Sequence, residues 1–163
     1  MIDDSAEQID ALVSNVVGGA RVLMLDAEKD SIEQITQAVD RNFTQSIHVF
    51  THSAPGCLHF SSGDLTIENL HYYAEQIESW FRYCPFYKGS SMQVQSNDCS
   101  LSLYAPNLAE GSEGKTFIES LHHLAGVNVH ASAKAVGCSA IDNCWQLEVS
   151  YPFPQTIQMP FAP

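Results

Sequence analysis

Four short apolar runs of strand length, VLMLD (22–26), IHVFT (47–51), CSLSLY (99–104) and VNVHA (127–131), are separated by stretches whose apolar residues recur at helical spacing. A chain that alternates strand and helix with short connections has few stable solutions. It forms a mainly parallel sheet, joined by right-handed crossovers and covered by helices. The expected fold is therefore α/β, a three-layer arrangement with parallel strands at about 21–25, 46–51, 99–104 and 127–131. Residues 145–149, WQLEV, fit a late edge strand or hairpin arm. In such sheets, sites lie at the carboxyl ends of the strands. Here those ends are Asp26, the loop from His52 to Gly56, and the loop from Tyr104 to Gly111.

Local signals refine this outline. Ile9, Leu12, Val13, Val16 and Val17 follow helical spacing and predict a helix over 5–17, stopped by Gly18-Gly19. The unbroken apolar run at 22–25 reads as a strand buried on both faces. Asp30 with Glu33 forms a capping-box pattern, and Ile32, Ile35 and Val39 mark one face of a helix to about residue 41. Residues 52–56 read as a loop and 57–65 as a small hairpin around Ser61-Ser62-Gly63. Leu70, Tyr73, Ile77, Trp80 and Phe81 predict one long amphipathic helix, and 84–98 a surface excursion. Phe117, Ile118, Leu121 and Leu124 mark the next helix face, ended by Gly126.

Size and charge exclude several function classes. A chain of 163 residues suits one domain, which buries roughly 70% of its unfolded surface without needing staples. Seven Lys plus Arg against nineteen Asp plus Glu leave a net charge of -12. Such a surface repels phosphate backbones and anionic headgroups, so nucleic acid is not an expected partner. No window approaches a transmembrane helix, and the first residues, MIDDSAEQID, lack the pattern of a secretory signal; a cytoplasmic location is the expectation. Cys57, Cys84, Cys99, Cys138 and Cys144 are odd in number and irregularly spaced. They read mostly as reduced thiols, with a Cys84–Cys99 bridge as the alternative. Cys138 and Cys144 do not have one of the usual zinc spacings; His52, Cys57 and His59 cluster in sequence, but a turn near a strand end collects such residues by chance, and no metal or other cofactor is expected.

The stretch from Ala109 to Thr116, AEGSEGKT, satisfies a loose phosphate-loop pattern. It opens on alanine, and it carries Glu110 and Glu113 where backbone amides should wrap an anion. Nucleotide is therefore not an expected ligand.

A different likeness accounts for more of the chain. The run VLMLDAEKDSIEQITQAV (22–39), the stretch 47–77 with its IHVFTHSAPG segment, and 103–132 together with DNCWQLEV (142–149) resemble a bacterial domain family of unassigned function. That family occurs near the N-termini of very large adhesin-like and cadherin-repeat proteins, and it is similar to the caspase-like cysteine peptidases. Its third strand ends in Ser-His-Gly and its fourth in Tyr-Gly-Cys-Asn, the His and Cys being read as the catalytic dyad. The resemblance places His52 at the family histidine and Pro106, within Tyr104-Ala105-Pro106-Asn107, where the cysteine belongs. Ser53 stands in place of the glycine, and only Met1-Ile2-Asp3 is left to represent the first strand.

Proline has neither a thiol nor an amide hydrogen, so it can be neither nucleophile nor oxyanion donor. The expected function is a catalytically inactive caspase-like domain that acts as a protein-binding or structural subunit, with a protein partner or a second copy. The alternative is a cysteine peptidase with a displaced nucleophile, His52 working with Cys57. Residues 1–150 form the expected domain. Residues 151–163, YPFPQTIQMPFAP, form a proline-rich extension in which Tyr151, Phe153, Ile157, Met159 and Phe161 are candidate partner contacts. Four prolines stiffen that segment. It either folds back over its own sheet edge or docks elsewhere.

Overall fold

The computed structural model describes residues 1–3, 13–14, 16, 18–40, 43–83, 99–136 and 145–152. Its main sheet has the order β1-β5-β6-β7, with β1 Ser46–Phe50, β5 Ser100–Tyr104, β6 Asn128–Ala131 and β7 Val149–Tyr151. The pairs β1–β5 and β5–β6 are parallel, and β7 returns antiparallel along β6. The sheet continues beyond β1. Ile2 bridges Phe50 on one side and Met24 on the other, both in parallel sense. Its amide donates to Leu23 O and its carbonyl accepts from Leu25 N, each at 2.9 Å. Three N-terminal residues thus fill the gap between the 23–25 segment and β1.

Two features differ from the sequence expectation here. Val22 and Met24 are 41% and 42% exposed while Leu25 is buried, so this run shows one face to solvent. Only Met24 makes a bridge. Residues 52–54, expected as loop, form the strand β2 His52–Ala54, which joins β3 Cys57–Phe60 and β4 Gly63–Thr66 in a separate three-stranded antiparallel sheet.

The helices form for legible reasons. Helix α1 spans Ser31–Val39, and Asp30 caps it by accepting from Glu33 N at 2.8 Å. The other Asp30 oxygen accepts from the Tyr73 hydroxyl at 2.8 Å, so one carboxylate serves both a cap and a tertiary contact. The single helix expected from Leu70 to Phe81 is instead a 3-10 turn, Leu70–Tyr73, followed by α2, Ala74–Ser79. Trp80 and Phe81 lie beyond it, and Trp80 Nε1 donates to Thr36 Oγ1 of α1 at 2.8 Å. Helix α3, Gly111–Ala125, ends at Gly126, whose φ of 70° provides the left-handed cap.

The two faces of the main sheet differ in kind. Ile47 and Val49 of β1, Leu101 and Leu103 of β5 and Val129 of β6 join Ile32, Ile35, Phe117 and Leu121 of the helices in one core. On the opposite face one row is polar, since the register aligns His48, Ser102, His130 and Ser150, while Phe50 and Tyr104 beside it belong to a second apolar cluster. His130 Nδ1 shares a hydrogen bond with Ser150 Oγ at 2.8 Å. Burial, helped by the N-terminal ammonium and His130, holds the His48 imidazole down at about 4. The architecture is α/β, with a mixed, mostly parallel sheet and three helices among the described residues.

Among the described residues, no helix is long and apolar enough to cross a membrane. Cys99 is disulfide-bonded, whereas Cys57 is free. Cys99 thus departs from the expectation of reduced thiols; Cys84, its partner in the alternative reading, lies outside the described residues.

Candidate functional site

At the carboxyl ends of β1 and β5 the chain builds an aromatic floor. Phe50 and Tyr104 stack with ring centroids 4.4 Å apart, and Trp145 meets both edge-on at 5.8 and 6.0 Å. Tyr104 is buried, which pushes its phenol well above the usual range. The segments that carry the candidate residues leave the sheet just after this stack. Thr51 and His52 follow Phe50; Ala105 and Pro106 follow Tyr104.

The two segments are joined directly. Ser53 Oγ donates to Pro106 O at 2.5 Å, and Gly56 N donates to Leu108 O at 2.9 Å. His52 and Pro106 are therefore on neighbouring segments at one end of the sheet. Pro106 sits in a closed turn: Ala105, Leu108 and Ala109 are at most 1% exposed, and Asn107 has φ of 59°. Asn107 N donates to Lys134 O and Ala109 N to Ser132 O, both at 2.9 Å. The segment receiving those bonds is held in turn by Glu148, which accepts from Ser132 Oγ at 2.7 Å and Ala133 N at 3.0 Å.

Of the glycines in the phosphate-loop pattern, Gly111 takes a positive φ of 68° in open space and Gly114 serves packing. A Cβ on Gly114 would stand 2.5 Å from Leu108 O and Ala109 C, so only glycine lets α3 approach this turn. Residues from Gly111 onward are already helical, and Thr116 Oγ1 donates to Ser112 O within the helix. Asp26, the carboxylate at the end of the 22–26 run, pairs at the surface with Lys29 Nζ at 2.6 Å. That hydrogen bond lowers its pKa.

His52 lies on the exposed side of β2, directly opposite His59. Cys57 is paired with Ala54, two residues along the ladder, so its closest imidazole is that of His59: Sγ lies 3.6 Å from His59 Nδ1. The same Nδ1 is 2.7 Å from Asp64 Oδ1. Burial, then the Asp64 charge, pushes the Cys57 thiol up, which is the reverse of an activated nucleophile.

Of the candidate partner contacts, Tyr151 ends β7. Its ring meets those of His122 and His123 at 4.9 and 6.0 Å, and its hydroxyl donates to Glu119 Oε1 at 3.0 Å. The chain thus turns back onto α3 at the start of the extension, and the boundary expected at 150 falls inside β7. Phe153, Ile157, Met159 and Phe161 lie outside the described residues.

A family model for a domain of unknown function, DUF4347, matches residues 1–162. The chain belongs to the DUF4347 family. The match includes residues 151–162, so the proline-rich segment that the sequence reading sets apart is covered with the rest of the DUF4347 domain. No curated protein and no solved structure matches the chain.

Asp64 and Glu148 are absent from the sequence reading of the site. A signal for Asp64 existed: a two-residue turn at Ser61-Ser62 fixes the hairpin register and sets Asp64 opposite His59. Nothing local points from Glu148 to Ser132.

Proposed function

We propose that this DUF4347 domain is a non-catalytic member of the caspase-like group that acts by binding a protein partner or a second copy of itself. The observation that carries the reading is Pro106 at the position facing the His52 strand, in a buried turn whose carbonyl is engaged by Ser53. A thiol nucleophile there would need a thiolate, an imidazole and a free oxyanion site. The proline supplies no thiol and no amide hydrogen. Within the proposed binding element, Tyr151 anchors the segment to α3, while Phe153, Ile157, Met159 and Phe161 supply the apolar contacts. Each such side chain contributes roughly 1.5 to 3 kcal/mol when fully buried.

The peptidase reading has one observation in its favour: the ladder puts His52 and Cys57 on one face of the small sheet. Against it stand the raised thiol and the engagement of His59 Nδ1 by Asp64. The cytoplasmic location meets an opposing observation in the Cys99 disulfide, a bond that persists in oxidising compartments.

Incubating the full chain with a mixed peptide substrate pool, beside His52→Ala, tests the proposal. Neither protein should hydrolyse any peptide. Hydrolysis by the wild type that disappears in His52→Ala would establish the peptidase instead.

A further inference from the structure

The β2–β3–β4 sheet turns one face inward and the other to solvent. Leu58, Phe60 and Leu65 point into the core. The alternate positions, set by the register His52↔His59, His59↔Asp64 and Ala54↔Cys57, lie together on the outer face. Strand pairing thereby gathers into one row and its neighbour four residues that are spread over thirteen positions of the sequence. They are His52, His59, Asp64 and Cys57.

We propose that this face binds a zinc-class divalent cation, with Cys57 Sγ, His59 Nδ1 and Asp64 Oδ1 as ligands and His52 completing the set. The three ligand atoms lie within 4.8 Å of one another. In a tetrahedral zinc site, bond lengths of about 2.3 Å to sulfur and 2.0–2.1 Å to nitrogen put the two donor atoms about 3.5 Å apart. Cys57 Sγ and His59 Nδ1 are 3.6 Å apart. Nδ1 and Asp64 Oδ1, at 2.7 Å, share a hydrogen bond. Exchanging that proton for a metal requires opening to about 3.4 Å. Both residues are surface-accessible, with side chains 41% and 55% exposed, so this movement meets no packed neighbour layer.

The same three atoms already make short polar contacts with one another, Sγ to Nδ1 and Nδ1 to the Asp64 carboxylate. Three donor atoms therefore converge on one point. A cation at that point would satisfy all three. One thiolate, one imidazole and one carboxylate form a set that selects zinc over magnesium or calcium, which require oxygen ligands alone. His52 stands directly across the ladder from His59, where side chains begin about 4.5–5.5 Å apart, within reach of a fourth coordination position. This site is independent of whether the domain is catalytic. Its consequence is mechanical, a clip across three strands.

Cobalt(II) titration of the reduced full chain tests it, since cobalt reports geometry and thiolate ligation optically. The expected result is one tetrahedral cobalt per chain, with a thiolate charge-transfer band that zinc displaces. Cys57→Ser should abolish that band. His59→Gln and Asp64→Asn should weaken binding at least about tenfold, and His52→Ala should alter the tetrahedral spectrum. All four positions are on the sheet's outer face, and a far-ultraviolet spectrum confirms folding of each variant. An octahedral spectrum, or a thiolate band that survives Cys57→Ser, would overturn the proposal. A spectrum unchanged by His52→Ala would remove His52 from the site.

Discussion

The Ser53 hydroxyl lies 2.5 Å from the carbonyl oxygen of Pro106, the shortest link between the strand that carries His52 and the turn after β5. It ties the segment that follows β1 to the segment that follows β5.

Removing the donor leaves the Pro106 carbonyl without that partner. Ser53→Ala should lower stability by about 1 kcal/mol, the usual net worth of such a bond. Urea unfolding followed by tryptophan fluorescence measures it. A loss under a few tenths of a kcal/mol would mean that solvent replaces the hydroxyl at little cost.

Gly114 makes a sharper test of the turn. The clash at 2.5 Å is with backbone atoms of Leu108 and Ala109, which no rotamer change can relieve. Gly114→Ala should cost about 3 kcal/mol, the upper end for overpacking, despite alanine's better helix propensity. Gly111→Ala, with φ of 68° but open space around it, should cost only about 1 kcal/mol. Paired denaturation curves check the order of the two effects.

The fold was legible where one residue pattern admits one structure. Strands β1, β5 and β6 fall close to their expected bounds, Asp30 caps α1, and Gly126 ends α3. The 22–25 run was misjudged because four consecutive apolar residues say nothing about which face is covered, and Val22 and Met24 turn out exposed. The helix from Leu70 was overextended because a 3-10 turn and an α-helix both bring Leu70 and Tyr73 to one side. Strand β2 carries three residues and no alternation of its own; its pairing with β3 makes it a strand. For the site, His52 and Pro106 were placed by resemblance alone. Their surroundings, from Ser53 to Glu148, depend on contacts between distant segments that periodicity does not encode.

The polar row beneath the sheet predicts a pH dependence. Burial holds His48 near 4 and lowers His130 below its ordinary 6.5. Between its folded pKa and about 6.5, each histidine binds a proton in the unfolded chain that it does not bind in the folded one. The contribution of this row to stability should therefore be full above about pH 7, fall as the pH drops through 6.5, and level off below the folded values. The N-terminal amine, lowered by burial from 8.0 to about 5, adds its own fall across that higher range. His48 alone accounts for at most about 3.4 kcal/mol of the total. Thermal unfolding of wild type and His48→Gln across that range checks it; the variant should show the flatter slope.

Tyr151 joins the C-terminal segment to α3, through two histidine rings and Glu119. Tyr151→Ala should destabilise the monomer by about 2 kcal/mol, whereas deleting 153–163 should leave most monomer stability in place and remove association with a partner or second copy. Light scattering and thermal melts separate the two effects. Loss of stability on deleting 153–163 would show that the whole segment folds back over its own domain.

The central claim, that the domain has no catalytic thiol, is tested most directly by native alkylation of the reduced protein. The chain is treated with iodoacetamide at neutral pH, and the adducts are mapped by mass spectrometry over time. With its thiol pushed up by burial and by Asp64, Cys57 should react no faster than an ordinary free thiol, and His52→Ala should not change its rate. Rapid, selective modification of Cys57 that slows on His52→Ala would reveal an activated dyad and contradict the account.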